Sequence, residues 1–178
     1  MNIRLQLLTV FGLGHMRIAS GTWGSMPAVG LALGLVFVLG RDDLSTFEHV
    51  TISVCVALVG LLFSVACVKF GKEGEQAFGR KDPGQIVADE MAGQSVALLA
   101  LPWRALNDPQ DWYWNLTLAA TAFLAFRILD IIKPPPAYKI QKLKGGWGVL
   151  ADDLVAGFYA LIIVQIVGRL VMPGVGWF

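Results

Sequence analysis

The sequence predicts an all-α fold: a polytopic membrane helical bundle of about four to five transmembrane segments, organised as one membrane-embedded domain over residues 1–178. Three observations carry that expectation. Hydrophobic residues fill 56% of the 178 positions and mean hydropathy is +0.63, while charged residues reach only 15% against about 25% in soluble domains. Charge-free runs of bilayer length recur along the chain. Basic residues are shared unequally between the loops, as topology requires. The net charge of +1 says little by comparison, and no nucleic acid is expected among the partners.

Residues 1–17 mix apolar and polar positions, as an interfacial amphipathic piece does. The apolar run after Arg4 is broken by glycines and followed by no Ala-x-Ala site, so it does not read as a cleavable leader. Residues 18–40 are 23 positions without a charge, but Ser20-Gly21-Thr22-Trp23-Gly24-Ser25 is too rich in glycine and hydroxyls for a helix interior. Residues 1–25 therefore read as an interfacial segment and a glycine-rich loop. The first spanning helix then covers residues 26–39, with Gly30 and Gly34 spaced for close helix contact. Residues 41–49 form a short polar loop. Residues 50–68 are 19 uncharged positions and make the strongest span.

Residues 69–84 are polar and end at an Asp82-Pro83-Gly84 turn. The third segment, residues 85–103, opens with Asp89 and Glu90 and is charge-free only from residue 91. It either spans with its acidic pair sheltered by protein, or re-enters. Residues 104–111 form a second loop. Trp112, Tyr113 and Trp114 make an aromatic belt that opens a fourth helix, which Pro134-Pro135-Pro136 stops near residue 132. A basic loop with Lys139, Lys142 and Lys144 and a Gly145-Gly146-Trp147-Gly148 stretch lead to the fifth segment, residues 149–171. Cys55 and Cys67 sit inside an apolar run at no metal-ligand spacing and read as packing residues.

With the N-terminus cytoplasmic, eleven of the 14 basic residues lie on the inner side, leaving Arg41, Arg104 and Arg169 outside. The rule that inner loops are positive fixes the orientation. It also places residues 12–25, 82–93, 127–136 and 145–157 at the cytoplasmic face.

Those stretches carry the chemistry. Asp152 and Asp153 stand at the mouth of an apolar segment, Asp89 and Glu90 do the same upstream, and each pair is followed by Ala-Gly within a turn. Asp130 lies between Arg127 and Lys133 on one helix face. Carboxylates at membrane helix ends are costly unless used. Asp89, Glu90, Asp130, Asp152 and Asp153 offer hard oxygen ligands suited to Mg²⁺ rather than zinc or copper, and the four aspartates are the candidate catalytic groups. Arg127 and Lys133 suit a phosphate, and Thr22 and Ser25 could add hydroxyls from a loop whose amides approach the anion. Each feature also has a structural reading: helix-start charges, a salt-bridge ladder, a turn before the first helix. Common phosphatase signatures are missing. Cys-x5-Arg fails at both cysteines, where Leu61 and Glu73 occupy the sixth position, and no Asp-x-Asp pair occurs.

Four blocks together resemble the phosphatidylglycerophosphatase A family. They are Gly12-Leu-Gly14 with Gly21-Thr-Trp-Gly-Ser25; Ile86-Val-Ala-Asp-Glu90; Phe126-Arg-Ile-Leu-Asp-Ile-Ile-Lys-Pro-Pro-Pro136; and Gly145-Gly-Trp-Gly-Val-Leu-Ala-Asp-Asp-Leu-Val-Ala-Gly157. One departure is Ser20-Gly21-Thr22, where the family usually has Pro-Gly-Thr; it removes no ligand. The resemblance implies a Mg²⁺-dependent enzyme of the bacterial inner membrane. Its substrate would be the phospholipid phosphatidylglycerol phosphate, cleaved at the cytoplasmic face to phosphatidylglycerol and phosphate in phospholipid biosynthesis. A different class, a small cation transporter lined by helix-end carboxylates, would need such groups at mid-depth, and the outer halves of these segments hold no ionisable relay. The oligomeric state is left open by the sequence.

Overall fold

The computed structural model describes residues 2–41, 43–140 and 146–175, without the side chains of Tyr138 and Lys139. Lys142, Lys144 and Gly145 of the basic loop lie outside the described residues. The chain is helical throughout: α1 (Ile3–Leu8), α2 (Ser20–Leu39), α3 (Thr46–Phe78), α4 (Ala88–Ala97), α5 (Pro109–Ile132), the single turn α6 (Ala137–Ile140) and α7 (Gly146–Ile166). A π-helical turn, Val167–Val171, prolongs α7. The α2, α3, α5 and α7 stretches are long and apolar enough to cross a membrane. Their outward faces are aliphatic and aromatic, with Phe37, Leu58, Leu61, Leu124 and Ile162 exposed, as a lipid-facing surface must be. The fold is thus the expected all-α membrane bundle.

Two element boundaries differ from the sequence reading. α2 begins at Ser20 rather than residue 26, so the expected glycine-rich loop is helix. Glycine disfavours an isolated helix by about 1 kcal/mol, but packing reverses that preference here. A Cβ on Gly24 would lie 2.5 Å from Val87 Cβ, and one on Gly21 2.3 Å from Glu90 Oε1. Only a helix without side chains at these positions fits against α4. α3 likewise continues through the polar stretch to Phe78 and ends at Gly79 in the left-handed region, φ 70°. At 33 residues it is about 50 Å long, well beyond a hydrocarbon core of about 30 Å. Its extra turns carry α1: Leu8 is fully buried and Arg4 pairs with Glu73 at 2.9 Å. The N-terminal segment is therefore folded onto the bundle.

Two backbone hydrogen bonds fix the path of the third segment along α2. Val87 N–H donates to Leu8 C=O at 2.9 Å, near the start of α2, and Leu106 N–H donates to Gly40 C=O at 2.6 Å, at its end. Residues 87–106 hence run the length of α2, a depth of about 24 Å. Helix α4 covers only the first half. The remainder is irregular, and irregular backbone at membrane depth persists only where protein satisfies its polar groups. Side chains from three helices do so. Gln165 Nε2 donates to Ala100 C=O at 2.8 Å and Arg169 Nη2 to the same oxygen at 3.2 Å. Trp114 Nε1 donates to Pro102 C=O at 2.8 Å, and Asn115 clasps Arg104 N–H and C=O at 2.9 and 2.8 Å. Ser53 Oγ accepts from Ala100 N–H at 3.2 Å, and a ring nitrogen of His49 lies 3.0 Å from Trp103 C=O.

At the other end, α4 crosses α7 with almost no gap. A Cβ on Gly157 would sit 2.2 Å from Gly93 C=O, and one on Gly93 2.6 Å from Asp153 C=O. The two Ala-Gly pairs face one another. Gly30 and Gly34, whose spacing allows close helix contact, by contrast have no described residue within 4 Å of an added Cβ.

Candidate active site

Four elements bring the predicted residues to the end of the bundle where α2, α4 and α7 begin and α5 stops. Asp89 and Glu90 occupy the first turn of α4. Asp152 and Asp153 lie in the second turn of α7, both buried. Arg127 and Asp130 lie near the end of α5, and Lys133 is its C-cap in the left-handed conformation, φ 51°. That conformation turns the Lys133 side chain back over the helix end.

The five carboxylates are sorted into two layers. Asp89, Glu90 and Asp153 each offer an oxygen such that the three atoms lie within 4.8 Å of one another. Asp130 and Asp152 are already engaged by cations. Arg127 Nη1 stands 2.8 Å from Asp130 Oδ2, Lys133 Nζ 3.9 Å from Asp130 Oδ1, and Lys133 is bonded to Asp152 Oδ2. The Asp130 carboxylate also comes within hydrogen-bond reach of Asp153, linking the layers. Burial draws the Lys133 ammonium down, but its bond to Asp152 and the charges of Asp152, Asp153 and Asp130 outweigh burial. They hold it above the ordinary lysine value, so it is charged at neutral pH.

Several buried acceptors lack a partner. Asp89 Oδ1, Glu90 Oε2, Asp152 Oδ1 and Asp153 Oδ2 are shielded from solvent without a hydrogen bond among the described residues, and so is the Arg127 Nε donor. Each such group costs about 1–3 kcal/mol, and crowded like charges cost more. A hard divalent cation such as Mg²⁺ relieves both penalties at once, since carboxylate oxygens, with waters and substrate phosphate, are the donors it takes. The residues present fit that ion.

Gly21 is the site residue whose role sequence reasoning missed. A Cβ there would meet Glu90 Oε1 at 2.3 Å and both terminal nitrogens of Arg127 at 2.9 Å. Gly21 thus leaves room for the acidic and basic halves of the site to meet over α2. Its place inside a predicted loop hid this. Gln94, one turn along α4 from Glu90, was also passed over; it is fully buried with neither amide atom bonded. Ser25 donates its hydroxyl to Gly21 C=O at 2.8 Å inside α2, while Thr22 lies partly exposed in the first turn.

A multi-pass helical membrane protein with a buried carboxylate cluster flanked by two cations at one bundle end is the class that fold and site define. Comparison with known proteins makes the assignment specific. The chain belongs to the phosphatidylglycerophosphatase A family, whose model matches residues 6–168, and it is accordingly a phosphatase. A Bacteroides thetaiotaomicron protein that carries the provisional name phosphatidylinositol-3-phosphatase is 36% identical over 158 residues, 89% of each chain. The phosphatidylglycerophosphatase A of Haemophilus influenzae is 34% identical over 162 residues, 90% of this chain and 86% of that one. The Escherichia coli phosphatidylglycerophosphatase A is 32% identical over 161 residues, 89% and 80% of the two chains. No solved structure matches the chain significantly.

Proposed function

We propose that the protein hydrolyses the terminal phosphomonoester of phosphatidylglycerol phosphate to phosphatidylglycerol and inorganic phosphate. The reaction is Mg²⁺-dependent and serves phospholipid biosynthesis at the cytoplasmic face of a bacterial inner membrane. The convergence of Asp89, Glu90 and Asp153 on one point, with unpartnered oxygens, beside Arg127 and Lys133, carries this reading. The orientation is supported by the charge distribution: Arg41, Arg104 and Arg169 lie at the end away from the carboxylates.

Asp89, Glu90 and Asp153 are the inner ligands in this reading, and Asp130 and Asp152, paired with Arg127 and Lys133, stand outside them. Mg²⁺ held there supplies charge neutralisation of the phosphate and makes a water more acidic. Arg127, whose Nε is unpartnered, and Lys133 bind the phosphoryl oxygens and orient the monoester for in-line attack. Asp152 keeps Oδ2 on Lys133 and has, among the described residues, no hydrogen-bond partner at Oδ1. Oδ1 accepts the proton of the attacking water as its oxygen bonds to phosphorus. The P–O bond to glycerol breaks, and the departing alkoxide takes up that proton. In this reading Thr22, partly exposed in the first turn of α2, contacts the substrate.

The test is phosphate release from phosphatidylglycerol phosphate by detergent-purified protein, with Mg²⁺ and then with excess EDTA. Phosphatidylinositol 3-phosphate runs as a parallel substrate. Release that needs Mg²⁺ and is abolished in Asp153→Asn is the expected result. Release unaffected by EDTA, or retained in Asp153→Asn, would sink the metal site; preference for the inositol lipid would reassign the substrate.

A further inference from the structure

At the start of α2, one residue before Gly21, lies a polar cavity of about 300 Å³. Gly14, His15, Arg17, Ser20, Arg80 and Gln85 line it. We propose that this basic pocket binds a second phosphate of the substrate, the phosphodiester that joins the head group to the lipid. It would thereby select lipids bearing two phosphates over those bearing one. The inference rests on the lipid-phosphatase reading above and deepens it.

Three observations support the assignment. The pocket brings together two guanidiniums and no carboxylate. Among the described residues Arg4, Arg104 and Arg127 are in ion pairs; of the four arginines that are not, Arg41 stacks on Phe37 and Arg169 bonds Gln165 and Ala100, whereas Arg17 and Arg80 face one cavity. The only bond of Arg80 among the described residues is a long one, 3.5 Å, to Gln85 Oε1. Guanidiniums left free in a shared concavity suit a phosphate, which they bind through charge-assisted bonds.

The second observation is adjacency. Ser20 lines the pocket, and the next residue, Gly21, is in contact with Glu90 and Arg127 of the reaction site. A phosphomonoester held at Arg127 therefore has the pocket next to it, across one helical turn. In phosphatidylglycerol phosphate the two phosphates are separated by one glycerol. Third, the same chain segment continues into apolar surface. Val10, Phe11 and Leu13 line a groove of about 540 Å³ with Leu31 and Phe63 of the spanning helices. Head-group charge and acyl tail thus find opposite chemistries on either side of residues 13–14. Free inorganic phosphate shares the anionic chemistry, and the test separates the two sources.

The full-length protein in detergent, with EDTA to prevent turnover, is titrated with dioctanoyl phosphatidylglycerol phosphate and with dioctanoyl phosphatidic acid. The second lipid has the same tails and a single monoester phosphate. Wild type is compared with the Arg17→Gln/Arg80→Gln variant by calorimetry or native mass spectrometry. Loss of charge-assisted bonds should weaken the two-phosphate lipid about tenfold or more and leave phosphatidic acid within about twofold. In turnover with Mg²⁺, KM for the two-phosphate lipid should rise while kcat holds. Equal weakening of both lipids would reduce the pocket to general surface charge, and no weakening of either would overturn the proposal outright. Relief of inhibition by inorganic phosphate with lipid binding unchanged would assign the pocket to free phosphate and also overturn it. Wild type that binds the two-phosphate lipid through these arginines yet releases no phosphate would sink the hydrolytic reading instead.

Discussion

At the scale of single residues, the site works by a division of labour among side chains of the same kind. Five carboxylates share one bundle end, but only Asp89, Glu90 and Asp153 converge, because Arg127 and Lys133 hold Asp130 and Asp152 aside. On the proposed metal-site reading Asp153→Asn should lower turnover by about 100-fold or more, with helix content by circular dichroism unchanged. On the proposed reading Lys133→Gln should cost about 10–100-fold in kcat/KM, the loss of a charge-assisted bond to the phosphoryl oxygens. Gly21→Ala tests whether the gap over α2 matters. The added methyl meets the ends of the flexible Glu90 and Arg127 side chains, which swing away and leave the fold standing. Activity should fall at least tenfold while the detergent melting temperature shifts little. The residue types were legible in the sequence, since buried charge needs a reason wherever it occurs. Their sorting into layers was not, because it depends on which cation reaches which acid. The left-handed C-cap of Lys133 decides that, and no spacing rule announces it.

At the scale of elements, α4 is the piece that matters most. It is only 10 residues long, about 15 Å, and stable only in a cradle made by its neighbours. Its crossing with α7 depends on Gly93 and Gly157 meeting backbone to backbone. Gly157→Ala should cost about 3 kcal/mol or more, the upper range for overpacking, because a carbonyl at 2.2 Å has no rotamer to yield. The checkable outcome is a lowered melting temperature or loss of folded protein. Gly30→Ala, facing open space, should be silent in the same assay. The non-helical half beyond α4 is held by side chains. Asn115→Leu strips bonds from Arg104 N–H and C=O at once and should destabilise by about 1–3 kcal/mol per orphaned group. The Ala-Gly signals after each acidic pair pointed correctly to a close helix approach. The small-xxx-small spacing of Gly30 and Gly34 allows one too, but no described residue lies within 4 Å of a Cβ at either position. Small residues permit contact; shape elsewhere decides whether it is made.

For the whole molecule, five passes of the chain follow if residues 87–106 cross from the site end to the far end. That has a direct readout in single-cysteine variants made in a cysteine-free background and labelled in oriented membrane vesicles. Lys81→Cys, Asp43→Cys and Asn107→Cys occupy exposed positions. A crossing requires 43 and 107 to label from one side and 81 from the other. Labelling of 107 together with 81 would make the segment re-entrant. The sequence by itself determined that the chain is a helical membrane protein, where its long helices lie, and which residue types gather at one end. These follow from local quantities: apolar run length, the cost of charge in hydrocarbon, and the bias of basic residues between loops. Only the tertiary structure decided that residues 20–25 are helix, that the polar turns of α3 are an anchor for α1, and that the third segment runs the length of α2 as half helix and half irregular chain. Each of those outcomes is unfavourable locally. Packing against Glu90, Arg127 and Val87 overrides the glycine cost in α2, and bonds from Trp114, Asn115, Gln165 and Arg169 replace the helical bonds that residues 98–106 do without.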